Sequence, residues 1–415
     1  MPTVKAFDAY IANPERASEI AAPAYDALTP RERHRFAEAH PTNYLNVIRS
    51  VEEFPPEERP AFEELLRANV QRLHEMLETG LLLYNPQPGY YVYRLAIDAH
   101  VQVGVVAEVP VQSYEQGLVK RHENTQTEKE EQLARYLKAV RAGSSPVCLA
   151  YPHQPDIDAL VSQAMRAKPL IDFVADDGLA QTVWFVDDDR MVRELTERLS
   201  AVPAFYLTDG HHRAAAASRY AARRRAGNPQ HTGHEAYNYL LAALFPDNQL
   251  RILDYNRCVR GLNGHSARDL LAALERPFVV EALDVAAPEQ ARPRRRHEMA
   301  MHLDGCWYRL TARPEILPRY DPVHSLDLML LQEHVLEPTL GIVDPRSDTR
   351  IDYVPGPFGL DGLEGRCRDG WDLAFAVYPT SIRELMEVAD THQTMPPKST
   401  WFDPKVRSGL FVRLR

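Results

Sequence analysis

The chain has 415 residues, 26% of them charged and 45% hydrophobic, and a formal net charge of −10. This is an ordinary globular composition, long enough for two or three domains, and its acidity argues against broad nucleic-acid binding while leaving room for a local basic patch. No run reaches the ~18 consecutive apolar residues of a membrane span, and the N-terminus has no apolar leader core, so the expectation is a cytoplasmic protein with no membrane partner.

Residues 1–30 read as irregular, with a proline-stiffened Pro23-Ala24-Tyr25-Asp26 segment. Thr29-Pro30-Arg31-Glu32 then starts a helix that His40-Pro41 breaks. Residues 56–79 predict an amphipathic helix with Phe62, Leu65, Leu66, Val70 and Leu73 on one face. Tyr90–Ala96 and Val101–Val109 alternate as two strands joined through Asp98-Ala99-His100, an antiparallel pair.

A charged loop follows, Lys120-Arg121-His122-Glu123-Asn124-Thr125-Gln126. Thr127-x-x-Glu130 reads as a capping box opening a helix with Leu133, Tyr136, Leu137 and Val140 on its face, Gly143 ends it, and Pro146–Ala150 reads as a strand. The loop thus enters a helix N-terminus, where an anion or a substrate headgroup can sit, although a solvated cap explains the same residues. Residues 152–203 read as helix 156–167, strand 170–175, strand 181–186 and helix 190–199.

The most informative stretch is Leu207-Thr208-Asp209-Gly210-His211-His212-Arg213-Ala214. The apolar run Ala204–Leu207 predicts a strand, and the alanine-rich Ala214–Ala222 predicts a helix. Gly210 marks the junction, so Asp209 and His211–Arg213 lie where free backbone N–H groups and the helix dipole collect anions. Arg213 has the fork that suits phosphate, and Asp209 could hold a metal or orient a histidine; a capped turn with two surface histidines is the plainer alternative. Tyr237–Phe245 and Gln249–Tyr255 read as a hairpin turning at Pro246-Asp247-Asn248.

Residues 260–345 mix short helices and strands around the basic run Arg292-Pro293-Arg294-Arg295-Arg296, read as an exposed loop. Near the end, Ala374–Tyr378 is a strand and Ser381-x-x-Glu384 caps a helix whose buried face is Ile382, Leu385, Met386 and Ala389. Met395-Pro396-Pro397-Lys398-Ser399-Thr400 offers one cation and two hydroxyls to a phosphate, or is a stiffened edge segment. The four cysteines, Cys148, Cys258, Cys306 and Cys367, form no Cys-x-x-Cys pair and read as thiols in a reducing compartment.

Asp209-Gly210-His211-His212-Arg213-Ala214 resembles the signature turn of the ParB/sulfiredoxin superfamily, which binds nucleotide phosphates. His211 stands where sulfiredoxin has its nucleophilic Cys, so sulfinic-acid repair is not implied. Asn124, Gln126, Gly143, Pro146 and Val147 resemble the box that precedes the turn in that superfamily. His122-Glu123-Asn124 and the terminal Pro397-Lys398-Ser399-Thr400 are similar to the His-Glu-Gln and Pro-Lys-Thr-Thr segments of its free L-serine kinases. With Pro23-x-Tyr25-Asp26 and His122–Thr125, the chain also resembles the bacterial and archaeal DUF1015 family of unknown function.

The resemblance implies an α+β fold: a ParB/sulfiredoxin-like nucleotide-binding core over residues 86–260 with an insertion at 152–203, preceded by a segment 1–85 and followed by an α/β region 261–415. It implies a phosphotransferase using ATP or ADP with Mg²⁺ on a serine-like metabolite. Glu123 would be the base, assisted by His122. Asp209 would carry the metal, and Gly210, His211, His212, Arg213, Asn124 and Thr125 would bind nucleotide. Lys398, Ser399, Thr400 and Arg121 would hold the transferred group. A nucleotide-gated switch of ParB type and a phosphoserine-directed phosphatase are the alternatives.

Overall fold

The computed structural model describes residues 1–415, and its mixed helices and strands confirm the α+β class. They form two compact units, residues 1–250 with 404–415, and residues 251–403.

The first unit is built on an eleven-stranded mixed sheet. Its labelled strands are β1 (Phe7–Ala12), β2 (Leu82–Ile97), β3 (His100–Pro110), β4 (Val147–Tyr151), β5 (Ala180–Val186), β6 (Phe205–Asp209), β7 (Tyr239–Pro246) and β8 (Phe411–Leu414). One path through the sheet runs β6-β4-β7-β3-β2-β1-β8. The expected hairpin is present: β2 and β3 pair antiparallel from Tyr91↔Val106 to Ile97↔His100. Asp98 takes a left-handed φ of 50° at the turn, a conformation Asp tolerates better than most residues. Tyr90, Tyr91 and Tyr93 of β2 are fully buried: both faces of the strand are covered, Tyr90 packing in one apolar cluster and Tyr91 and Tyr93 in another.

Three local expectations fail in this unit for longer-range reasons. The N-terminal residues are not irregular, since β1 pairs with both β2 and the C-terminal β8. Residues 152–203 do form the four predicted elements, but β5 pairs with β2 over seven residues, so the segment completes the sheet. The hairpin expected after β7 does not form. β7 is already paired with β3 on one side and β4 on the other, and Ile252–Leu253 pairs with Trp401–Phe402 instead.

Two helices position the candidate site, α1 (Thr127–Val140) and α2 (His211–Ala226). The Thr127/Glu130 capping box is absent: Gln126 is the N-cap, without a side-chain cap. Glu130 instead accepts from Thr125 Oγ1 and pairs with Arg219 of α2. Next to it Arg223 grips Glu131 with both terminal nitrogens, at 2.8 and 2.6 Å. The left-handed residue that ends α1 is Arg141, φ 53°; Gly143 falls in a two-residue strand paired to β8.

The second unit carries a six-stranded antiparallel sheet, ordered Phe278–Leu283, Cys306–Ala312, Glu298–Leu303, Leu373–Val377, Tyr255–Val259, Ile351–Pro355. The Ser381/Glu384 capping box is realised on Ile382–Asp390, which buries Leu385, Val388 and Ala389. The basic run is partnered: Arg292 with Asp254 and Glu289, Arg295 with Glu298, Arg296 with Glu384. All four cysteines are free thiols, with Cys148 and Cys258 buried. No helix is long and apolar enough to cross a membrane.

Candidate functional site

β6 ends at Asp209 and α2 begins at His211, so the whole change of direction falls on Gly210. Its φ is +95°, and a Cβ there would lie 3.0 Å from the Arg213 guanidinium. Left-handed backbone costs a residue with a Cβ ~1–2 kcal/mol, and here the new carbon also presses on an engaged arginine. Gly210→Ala is therefore expected to lower unfolding free energy by about 2 kcal/mol. Urea denaturation checks this; an unchanged midpoint would mean the turn is not constrained as described.

The charged loop meets this turn from the opposite side. The Gln126 backbone N–H donates to His212 Nε2 at 3.1 Å. The rings of His122 and His211 cross edge-to-face, 4.5 Å apart and 87° inclined, and both are buried. Glu123 lies 3.8 Å from His211 Nδ1, with its side chain 38% exposed. Burial pushes the His122 imidazole down to about 4, against the opposing pull of a hydrogen bond to the Leu207 backbone and of Asp209. Burial, reinforced by His122, pushes His211 well below the usual range as well. At neutral pH both rings are neutral, so neither brings a formal positive charge to Glu123.

Asp209 sits beneath this arrangement as the centre of an ion network. Lys405 Nζ donates to Asp209 Oδ1 at 3.0 Å and to Asp26 Oδ2 at 2.6 Å. Arg213 pairs with the other Asp209 oxygen and donates to the carbonyls of Ser145 and Pro146 at 3.0 and 2.6 Å. Burial alone would raise the Asp209 carboxyl, but Lys405 and Arg213 outweigh it and hold it well below the carboxylate range. The same attraction, from Asp209 and Asp26, outweighs burial and raises Lys405.

This has two consequences. The Arg213 fork, expected to grip phosphate, is engaged by Asp209 and two carbonyls, so its observed work is to tie the turn to the Ser145-Pro146 bend. Asp209 does not fit the expected Mg²⁺ site, because two cations already occupy its two oxygens and would repel a third.

Sequence reasoning missed Lys405. Nothing near it in the chain marks it, as its partner Asp209 is 196 positions away; the available signal was that a buried Asp209 needs compensating charge. Asp26 of the Pro-x-Tyr-Asp box reaches the same lysine, while its neighbour Tyr25 accepts the Arg33 guanidinium over its ring at 3.8 Å. Of the other predicted residues, Asn124 is exposed, and the exposed Arg121 turns to Tyr114, donating to its hydroxyl at 3.3 Å. Lys398, Ser399 and Thr400 belong to the second unit. There Lys398 lies over the Tyr255 ring at 5.5 Å with φ 56°, and the buried Ser399 donates its hydroxyl to the Pro396 carbonyl at 2.7 Å.

Two kinds of ligand therefore fit the first unit's site. The first N–H groups of α2 have no intrahelical acceptor and lie at the positive end of the helix dipole, which suits an anion. His122, Glu123 and His211 offer three ligand atoms within 4.8 Å of one another, enough to consider a metal ion. A separate cleft of about 290 Å³, lined by Arg16, Thr42, Arg72, Glu75 and Met76 among others, contains none of these residues.

The fold and turn define an α+β protein with an anion-competent strand-to-helix junction. The chain belongs to the DUF1015 family, described as a protein of unknown function, which its sequence matches over residues 4–329. No curated protein matches it. Among solved structures it is similar to a mutant free serine kinase in complex with AMP, at 11% identity, covering 74% of this chain and 92% of that chain with a TM-score of 0.37. It is also similar to a conserved hypothetical protein from Pyrococcus furiosus, at 12% identity, 74% and 95% coverage and a TM-score of 0.35. A third is SbnI with a C-terminal truncation from Staphylococcus aureus, at 12% identity, 74% and 87% coverage and a TM-score of 0.36.

Proposed function

We propose that this protein is a nucleotide-dependent phosphotransferase that phosphorylates the hydroxyl of a small metabolite, serine-like in character, with ATP or ADP as donor. The observation that carries the reading is the meeting of two motifs distant in sequence. Glu123 stands half-exposed 3.8 Å from His211, the first residue of a helix whose N-terminus is open to an anion. A carboxylate beside a phosphate-binding helix end is the minimum that phosphoryl transfer to an alcohol needs, since the reaction depends mainly on positioning and charge stabilisation.

In this reading the donor phosphates lie on the backbone N–H groups of His211 and His212, with Asn124 and Thr125 at the rim. Arg213, Asp209 and Lys405 hold the turn in shape below. Glu123 accepts the proton of the acceptor hydroxyl as its oxygen attacks the terminal phosphorus and the bond to the nucleotide's bridging oxygen breaks. Mg²⁺ would travel with the nucleotide on its phosphates. The products are a phosphomonoester such as O-phosphoserine and a nucleotide shorter by one phosphate.

The overall reading is tested by incubating the protein with ATP or ADP and a panel of small hydroxylated metabolites, followed by mass spectrometry. One acceptor should gain a phosphoryl group. Tight nucleotide binding with no phosphorylated product from any acceptor would support a nucleotide-gated binding protein instead.

A further inference from the structure

The His122–Glu123–His211 cluster can do something that the phosphotransfer reading does not use. We infer that these three side chains form a binding site for a single first-row divalent cation of the zinc class.

The donor set is two imidazoles and one carboxylate, and its ligand atoms lie within 4.8 Å of one another. Around a tetrahedral zinc with bonds of ~2.0–2.1 Å, neighbouring ligand atoms stand about 3.3 Å apart. His211 Nδ1 and Glu123 Oε2 are already at 3.8 Å, so small side-chain rotations close the set. The second observation is independent of the spacing. His211 is 5% exposed, and its Nε2 is buried without a hydrogen-bond partner. A buried neutral imidazole normally spends both nitrogens on partners. Here Nδ1 has only the carboxylate contact and Nε2 has nothing, so no hydrogen bond fixes the tautomer and the ring's one lone pair is available on Nδ1, the nitrogen that meets Glu123.

The surroundings complete what a metal site needs. His122 hydrogen-bonds to the Leu207 backbone, the outer-shell contact that fixes a ligating ring's orientation. Imidazole nitrogens select zinc, copper, nickel or iron over magnesium, calcium and manganese, which prefer oxygen. Glu123 is the one ligand open to solvent, its side chain 38% exposed. A bound cation would therefore keep an open position on that side for water or a phosphate oxygen.

Binding a cation and acting as a base are alternative uses of Glu123, so the site is tested without nucleotide or acceptor. Its outcome then stands apart from that of the turnover assays. The full chain, stripped with a chelator and desalted, is titrated with Zn²⁺ by calorimetry and with Co²⁺ by visible absorption. The expected result is one equivalent bound, visible d–d bands with Co²⁺, and a rise in thermal midpoint on adding Zn²⁺. Glu123→Ala, on a half-exposed side chain that the fold can lose, should weaken Zn²⁺ at least tenfold and abolish the rise. His211→Asn should do the same. Absence of stoichiometric binding by the wild type would overturn the site. So would undiminished binding in Glu123→Ala, which would place the ion elsewhere among the chain's 16 histidines.

Discussion

Glu123→Gln is expected to slow the phosphoryl-transfer step by ~10²–10⁴-fold, the usual contribution of a positioned general base, while nucleotide affinity changes little. The substitution keeps the shape and hydrogen-bonding reach of the side chain and removes only its charge and basicity. His211 and His122 do not substitute, since both rings are buried. Single-turnover measurement isolates the step, because a lost base lowers the chemical rate and a lost binding contact raises the substrate requirement. A variant with the wild-type rate per folded molecule and a lower melting temperature would show that Glu123 is structural.

The second large effect is on stability. Arg213→Ala removes the bonds to the Ser145 and Pro146 carbonyls and one of the two cations on Asp209. Breaking a buried ion pair from one side costs ~3–5 kcal/mol. The pair here is partly open, with side chains 29% and 26% exposed, which reduces the figure to about 2–4 kcal/mol. Lys405 remains to hold Asp209, so the fold survives in weakened form. Arg213→Lys restores the charge without the three-way fork and should recover only part of the loss. Urea unfolding measures both. If stability were unchanged while nucleotide affinity fell tenfold, the guanidinium would belong to the phosphate after all.

How much of this was legible in the sequence depends on the range of the interactions involved. The strand, glycine and alanine-rich helix around Asp209–Arg213 were readable because each is set by neighbours within a few residues. The same holds for the Ser381/Glu384 cap and the β2–β3 hairpin. Thr127/Glu130 failed as a cap because Glu130 finds Arg219, 89 positions away, and an ion pair across two helices displaced a local bond. The hairpin after β7 failed because a fully paired central strand has no free edge. At the site, local reading singled out Glu123, His211 and His212, and the fold brings their two segments together. It could not foresee that Arg213 would turn inward, because that depends on Lys405 and the Ser145-Pro146 carbonyls, brought close only by the folded sheet.

The central claim is that the Glu123 loop and the α2 N-terminus together transfer a phosphoryl group. It is tested most directly by following phosphorus NMR of wild type and Glu123→Gln side by side, with ATP or ADP and L-serine or whichever acceptor the screen identifies. The account predicts a phosphomonoester resonance growing in the wild type as the donor's terminal phosphate signal declines, and growing at least a hundredfold more slowly in the variant. Donor signals that persist in both samples, or a phosphomonoester that forms at equal rates in both, would contradict it.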